Sequence, residues 1–312
     1  MKKNKLKFGI PLAAGAVLLL VSGFTASAGT SGYEVYKEAL KNNAGVKSVT
    51  ANVSVSVTDN GQDLINAKAN LKLDKASEAA SGSLQLGGSG TESRTLNVYH
   101  QDEKLIVKNS TSNVYYSVQP EDGQGHPRRE FKAQAEGKSG PPKELENVID
   151  ALVGNLQQQI GLNQASDGSK EISLHLTGSE IPAAANAIGS LMIKHASGTH
   201  ESHEQPGVQK DEEIARQLLG GEWKPQLPAL TQDVRMESVN IDASIGQDNR
   251  IKHQTVELAF EGKDAAGKVH DITITLDASF EGYNSTTPDH VDLAGKQVET
   301  IAPEAWGGKH SR

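Results

Sequence analysis

The chain has 312 residues, 31 Lys+Arg against 39 Asp+Glu, a formal net charge of -8 and no cysteine. The lack of thiols excludes a disulfide scaffold, a thiolate zinc site, an iron–sulfur cluster and a cysteine nucleophile. The acidic balance argues against a nucleic-acid partner, which needs clustered Lys and Arg to displace counterions.

The first element is an export signal over residues 1–28. Lys2, Lys3, Lys5 and Lys7 make a basic start, Phe8 to Val21 a mostly apolar run, and Ala26-Ser27-Ala28 the small residues that a signal peptidase reads. Cleavage is expected after Ala28; an uncleaved membrane anchor is the alternative. Val21-Ser22-Gly23 looks like the opening of a lipobox, but Phe24 stands where the lipidated Cys would be, so no lipid anchor through Cys is expected. Removing the leader takes away four lysines and no acid, which makes the mature chain more acidic still. No second apolar stretch of about 18 residues follows, so no membrane span is expected after cleavage. The protein should be exported, to the cell envelope or beyond.

Residues 29–312 read as a single α+β domain. Tyr33, Tyr36 and Leu40 recur at helical spacing, with Ser31 as N-cap. The period then changes to two. Val49, Ala51, Val53, Val55 and Val57 alternate with polar residues, Asp59-Asn60-Gly61 turns, and Ala67, Ala69, Leu71 and Leu73 alternate again: a hairpin. Further strands are predicted at 83–87, 94–100 (with Leu96 and Val98 on one face), 105–109 and 113–119. Residues 120–142, rich in Gly, Pro and charge, read as an exposed insertion. Pro141-Pro142 start an amphipathic helix through Leu145, Val148, Ile149, Leu152, Val153, Leu156 and Ile160. A strand with Ile172, Leu174 and Leu176 on one face follows. A helix then runs from Ser179 through Ala183, Ala187, Ile188, Leu191 and Met192 to about His195. Residues 196–210 read as a second insertion, Asp211 to Leu219 as a short helix ended by Gly220-Gly221. Three alternating runs (239–245, 256–260 and 272–280) return to strand, and the tail from Pro288 is read as mostly irregular.

About ten one-sided strands and two or three amphipathic helices predict a strongly curved antiparallel sheet, a half-barrel, wrapped around the helices. This order of elements resembles the LolA/LppX-like family of exported bacterial proteins, as does local text such as Ser179-Glu180-Ile181-Pro182 and Pro288-Asp289-His290-Val291-Asp292-Leu293. The resemblance implies a half-barrel closed on its concave side by helices, with space for acyl chains between. In the Gram-negative branch of that family the task is lipoprotein transfer across the periplasm. The leader here looks Gram-positive, where that task does not arise, so the resemblance carries the fold further than the function.

Chemistry is sparse. Gly87-Gly88-Ser89-Gly90 is followed by Thr91, which breaks a nucleophile elbow, and no P-loop, dinucleotide fingerprint or His-Glu-x-x-His occurs. No enzyme activity is expected. His195, His200 and His203, with Glu201 and Glu204, have ligand chemistry suited to weak zinc or copper binding, against the plainer reading of a solvated loop; no other cofactor is expected. Arg128 and Arg129 beside His126 make a small basic spot. The leading expectation is therefore an exported, non-enzymatic binding protein that holds an apolar or lipid-like ligand between sheet and helices. Leu145, Ile149, Leu152 and Leu156 would line that space from one helix, and Ile188, Leu191 and Met192 from the other. The alternative is a cell-envelope sensor of the same fold that meets a protein partner.

Overall fold

The computed structural model describes residues 31–118, 156–197, 218–219 and 227–301. Helix α1 (Gly32–Ala44) leads into strands β1 (Ser48–Asp59), β2 (Gln62–Asp74), β3 (Ala79–Gly88), β4 (Thr91–Gln101), β5 (Lys104–Asn109) and β6 (Val114–Val118). Then come β7 (Gly161–Gln164), β8 (Lys170–Thr177), a 3-10 turn (Gly178–Glu180) and helix α2 (Ala183–Ser197). Strands β9 (Gln232–Ile245), β10 (Ile251–Lys263), β11 (Val269–Glu281) and β12 (Gln297–Ile301) complete the order. No helix among the described residues is long and apolar enough to cross a membrane.

The twelve strands among the described residues form one sheet, ordered β12-β6-β5-β4-β3-β2-β1-β11-β10-β9-β8-β7. Two antiparallel meanders, β1–β6 and β7–β11, meet where β1 pairs with β11. Strand β12 crosses back to the far edge and lies parallel to β6. This corrects the predicted architecture. The sheet is mixed, open and longer than expected. It dominates the fold instead of wrapping around a set of helices, and only two α-helices of more than one turn are present among the described residues. The two unforeseen strands, β7 and β12, are the edges. Four of the five β12 residues and all of β7 are exposed, so ladder pairing and not burial makes them strands. The helix expected to run through Ile160 is a turn over residues 156–159, and its earlier part lies outside the described residues.

The register explains the one-sided pattern. Val53 stands between Ala69 of β2 and Ala278 of β11, and Val55 between Ala67 and Leu276. The same phase continues through Val256, Ile241 and Leu174 on one side and Leu86 on the other. The intervening positions carry Ser, Thr, Asn, Lys and Asp, so the sheet has one apolar and one polar face. At the β1–β2 turn, Asn60 and Gly61 both take positive φ, as a two-residue hairpin of type I′ requires.

Helix α1 covers one end of the apolar face, packing Ala39 and Leu40 against Ile172, Ala243, Ile245 and Ile251. Ser31 caps it by accepting from the Glu34 amide, and Asn43 ties its last turn to the Ile251 amide at 3.0 Å. Burial pushes the Tyr36 phenol up, even though it donates to Gln254.

A strap over the polar face carries the chain from β11 to β12. Thr286 meets Ser48 and Thr50, Asp289 accepts from Lys72 at 2.8 Å, and the Asp289 amide donates to buried Ser81 at 2.7 Å. Gln101 clasps Val291 twice, donating to its carbonyl at 2.8 Å and accepting from its amide at 2.9 Å. The Lys72 hydrogen bond holds the Asp289 carboxyl below the usual carboxylate range. Gln101→Leu removes both clasp bonds and should cost about 1–3 kcal/mol. Hydrogen exchange at the β12 amides should then quicken selectively. Protection there equal to that of the unaltered protein would show that the clasp does not hold β12.

Candidate functional site

Helix α2 lies on the apolar face against β9 and β10. Its entry is fixed by Glu180, whose carboxylate accepts from the Thr177 amide at 3.0 Å and hydroxyl at 3.1 Å. Ile181 and Ile193 are buried at the two ends of the helix, in one cluster with Leu174, Leu176, Met236, Phe260 and Ile272. Between them Gly189 lets the backbone down onto the sheet. A Cβ there would overlap the Met236 methyl and press on Phe260 Cε1 at 3.2 Å. Asn186 fixes the register by accepting from the Met236 amide at 3.2 Å.

The opposite side of the helix carries Ile188, Leu191 and Met192, exposed by 43%, 58% and 61%. These three candidate ligand residues therefore stand together on one side of α2, facing away from the sheet core. Leu156 is elsewhere: it is buried in the cluster beneath α2, with Ile160 packed beside it. Leu145, Ile149 and Leu152 lie outside the described residues, as do the metal candidates His200 and His203 and the basic pair Arg128 and Arg129. His195 is in the last turns of α2. Among the described residues no group of three or more His, Asp or Glu is arranged to hold a metal ion.

The N-terminal half of the apolar face has a different cover. Leu218 and Leu219 are buried against Ala67, Leu84, Leu86, Leu96, Val107 and Tyr116. Their carbonyls are received by two side chains that the sequence reading passed over. Arg94 Nη1 donates to the Leu219 oxygen at 2.9 Å, and Asn109 Nδ2 to the Leu218 oxygen at 3.1 Å. Asn109, itself 2% exposed, also accepts from the Thr111 amide and hydroxyl, each at 2.9 Å. The signal was present for Arg94: it stands in phase with Leu96 and Val98, on the face where alternation calls for an apolar residue.

The polar face carries pairs of imidazole and carboxylate. His253 meets Asp277 at 2.7 Å, where Thr255 also donates, and His175 meets Asp242 at 3.0 Å. All four side chains are about half exposed, so these are surface hydrogen bonds of small energetic weight. A shallow depression of about 370 Å³ opens nearby, where short side chains of Asn52, Ser54, Asn70 and Ser83 are flanked by Lys68 and Asp277. It is open and polar, and it lies on the face opposite α2 and Leu218–Leu219.

No protein-family model matches the chain, and no curated protein does. Among solved structures, lipovitellin, studied for its lipid–protein interactions, is similar at 11% identity and a TM-score of 0.24, over 79% of this chain and 26% of its own. The chain thus spans about a quarter of lipovitellin's length. A tesB protein of Mycobacterium avium subsp. paratuberculosis is similar at 9% identity and a TM-score of 0.12, over 86% of this chain and 99% of its own. Neither overlap is close enough to carry an argument about this chain.

Proposed function

We propose that this is an exported, non-enzymatic binding protein that holds an apolar or lipid-like ligand on the apolar side of its sheet, in the manner of the LolA/LppX-like proteins. One observation carries the reading. Three bulky aliphatic side chains, Ile188, Leu191 and Met192, stand exposed together on a helix whose other side is fixed to the sheet. Isolated exposed aliphatics are ordinary; a contiguous group on one helix face is the usual mark of a binding surface. Fixing the helix through Gly189 and Asn186 presents that group in one orientation, which lowers the ordering cost of binding.

Purified protein is therefore expected to release lipid on organic extraction, and native mass spectrometry should find it loaded. Replacing Leu191 and Met192 by Ser should weaken uptake of a fluorescent fatty acid by about a hundredfold or more, because each aliphatic buried by the ligand contributes about 1.5–3 kcal/mol. Stability should stay within about 0.5 kcal/mol, as expected for exposed positions. Protein that yields no lipid and takes up no acyl probe would overturn the reading.

A further inference from the structure

The polar face has a charge pattern of its own. One row of its side chains crosses six strands, β1 to β6: Asn52, Asn70, Ser83, Asn97, Lys108 and Tyr115. On one side of it runs the row Thr50, Lys72, Ser81 and Tyr99, and on the other Ser54, Lys68, Gln85 and Thr95. None of the three rows contains an Asp or Glu, in a chain whose net charge is -8. The carboxylates of this face stand on the other meander, at Asp242, Glu257 and Asp277.

The strap makes the central row the floor of a groove. It is tied down along the first flanking row, at Thr50, Lys72 and Ser81, and so stands as a wall beside that floor. The floor dips where its side chains are short: Asn52, Asn70 and Ser83 line the depression of about 370 Å³. There Asn70 Nδ2 donates to Asn52 Oδ1 at 2.6 Å, which leaves the Asn52 amide hydrogens and the Asn70 oxygen side by side. A donor next to an acceptor is the complement of a hydroxyl group. The far end of the row closes on a ring. Lys108 Nζ lies 5.7 Å and Lys296 Nζ 5.0 Å from the centre of Tyr115. Among the described residues no carboxylate pairs with Lys68, Lys108 or Lys296, whereas Lys72, Arg235, Arg250 and Lys263 each have one.

We propose that this groove binds a linear polysaccharide whose sugars carry carboxylates. One sugar ring lies on Tyr115, and its carboxylate and the next pair with Lys108 and Lys296. Further along, sugar hydroxyls bridge the free donor of Asn52 and the free acceptor of Asn70, within reach of Lys68. From Tyr115 to Asn52 is five strand spacings, roughly 24 Å, so the groove takes a run of sugars and not one. The three features select the ligand together. A neutral glycan leaves the unpaired lysines without a counter-charge, and a polyanion without rings or hydroxyls uses neither Tyr115 nor the asparagine pair. The groove is on the face opposite α2, so this inference does not rest on the apolar-ligand reading.

Calorimetric titration of the full chain at low ionic strength tests this with three probes: oligogalacturonate, a neutral cello-oligosaccharide of the same length, and inorganic polyphosphate. Oligogalacturonate should bind at least about tenfold more tightly than either of the others, since charge-assisted bonds separate it from the first and ring and hydroxyl contacts from the second. Its affinity should fall as salt is added. Lys108→Gln combined with Lys296→Gln should weaken it about tenfold. Tyr115→Leu should weaken it several-fold and leave polyphosphate binding unchanged, while Tyr115→Phe, which keeps the ring face, should bind like the unaltered chain. Lys263→Gln, at a lysine paired elsewhere, should have no effect. None of the substituted groove positions is buried, thermal unfolding verifies each fold, and the lysine pair keeps the test informative should Tyr115→Leu fail to fold. No binding of oligogalacturonate, equal affinity for the neutral glycan or for polyphosphate, or uronate binding that neither the lysine pair nor Tyr115→Leu alters, overturns the proposal. Uptake of an acyl probe should be the same in all these variants, so the groove and the apolar-face site fail or stand separately.

Discussion

Phe260→Ala should lower the free energy of unfolding by about 3–5 kcal/mol, the range for truncating a buried aromatic. Urea denaturation checks it, with a shifted midpoint and an unchanged slope. The reasons are local. Phe260 is 4% exposed, and it lies where the β9–β10 register shifts, opposite Met236. With Met236 it forms the floor on which Gly189 of α2 rests. Removing the ring leaves a cavity that Met236 can fill only in part, because Met236 is already committed to the close approach at Gly189. The loss therefore extends beyond the sheet: α2 loses its support, and Ile188, Leu191 and Met192 lose their fixed presentation. Acyl uptake should fall together with stability in Phe260→Ala, whereas it falls alone when Leu191 and Met192 become Ser. Loss of less than about 1 kcal/mol would mean that α2 is held mainly by its ends, through Ile181 and Ile193.

The contrast between these two kinds of residue shows what the amino-acid order does and does not reveal. Alternation made β1, β2 and the long C-terminal strands readable, because a strand with one buried face has to place its apolar residues two apart. Ser31 and the Asn60-Gly61 turn were readable for equally local reasons, a cap and a pair of positive φ angles. Strands β7 and β12 were not. Gly161-Leu-Asn-Gln and Gln297–Glu299 have no apolar alternation, and they become strands only because a neighbouring strand offers its free edge. The side of α2 that faces the sheet was not legible for a related reason. Ala183, Ala187, Ile188, Leu191 and Met192 form a more apolar stripe than Ala185, Gly189 and Ile193, yet the second set faces the core. Close approach at a glycine decided the matter, and periodicity records side-chain polarity, not how near two backbones can come. Arg94 was visible as a break in the alternation. Its meaning needed Leu218 and Leu219, more than a hundred residues away in the chain.

His270→Ala should be the most damaging change outside the apolar clusters, at about 2–4 kcal/mol. His270 begins β11 and is only 4% exposed, and both ring nitrogens face carboxylates. Nδ1 lies 2.9 Å from Asp59 at the end of β1, and Nε2 lies 3.5 Å from Asp264 in the β10–β11 turn. The imidazole thus joins two hairpin turns at the seam where the two meanders pair. Asp264 has other partners: the backbone amide of Lys268 is the first cause holding its carboxyl below the usual carboxylate range, and Ala266 donates to it as well. Asp59 is the more dependent group. Its side chain is 14% exposed, and among the described residues it accepts, besides the imidazole, only from the exposed Asn60 amide group next to it in sequence. Loss of the ring leaves that largely buried carboxylate with little compensation, and this is where most of the cost should arise. A double-mutant cycle with Asp59→Asn isolates the pair. The double variant should be less destabilised than the two single changes added together, by about 1 kcal/mol or more. Additive losses would assign the role of His270 to packing at the seam and not to its bond with Asp59.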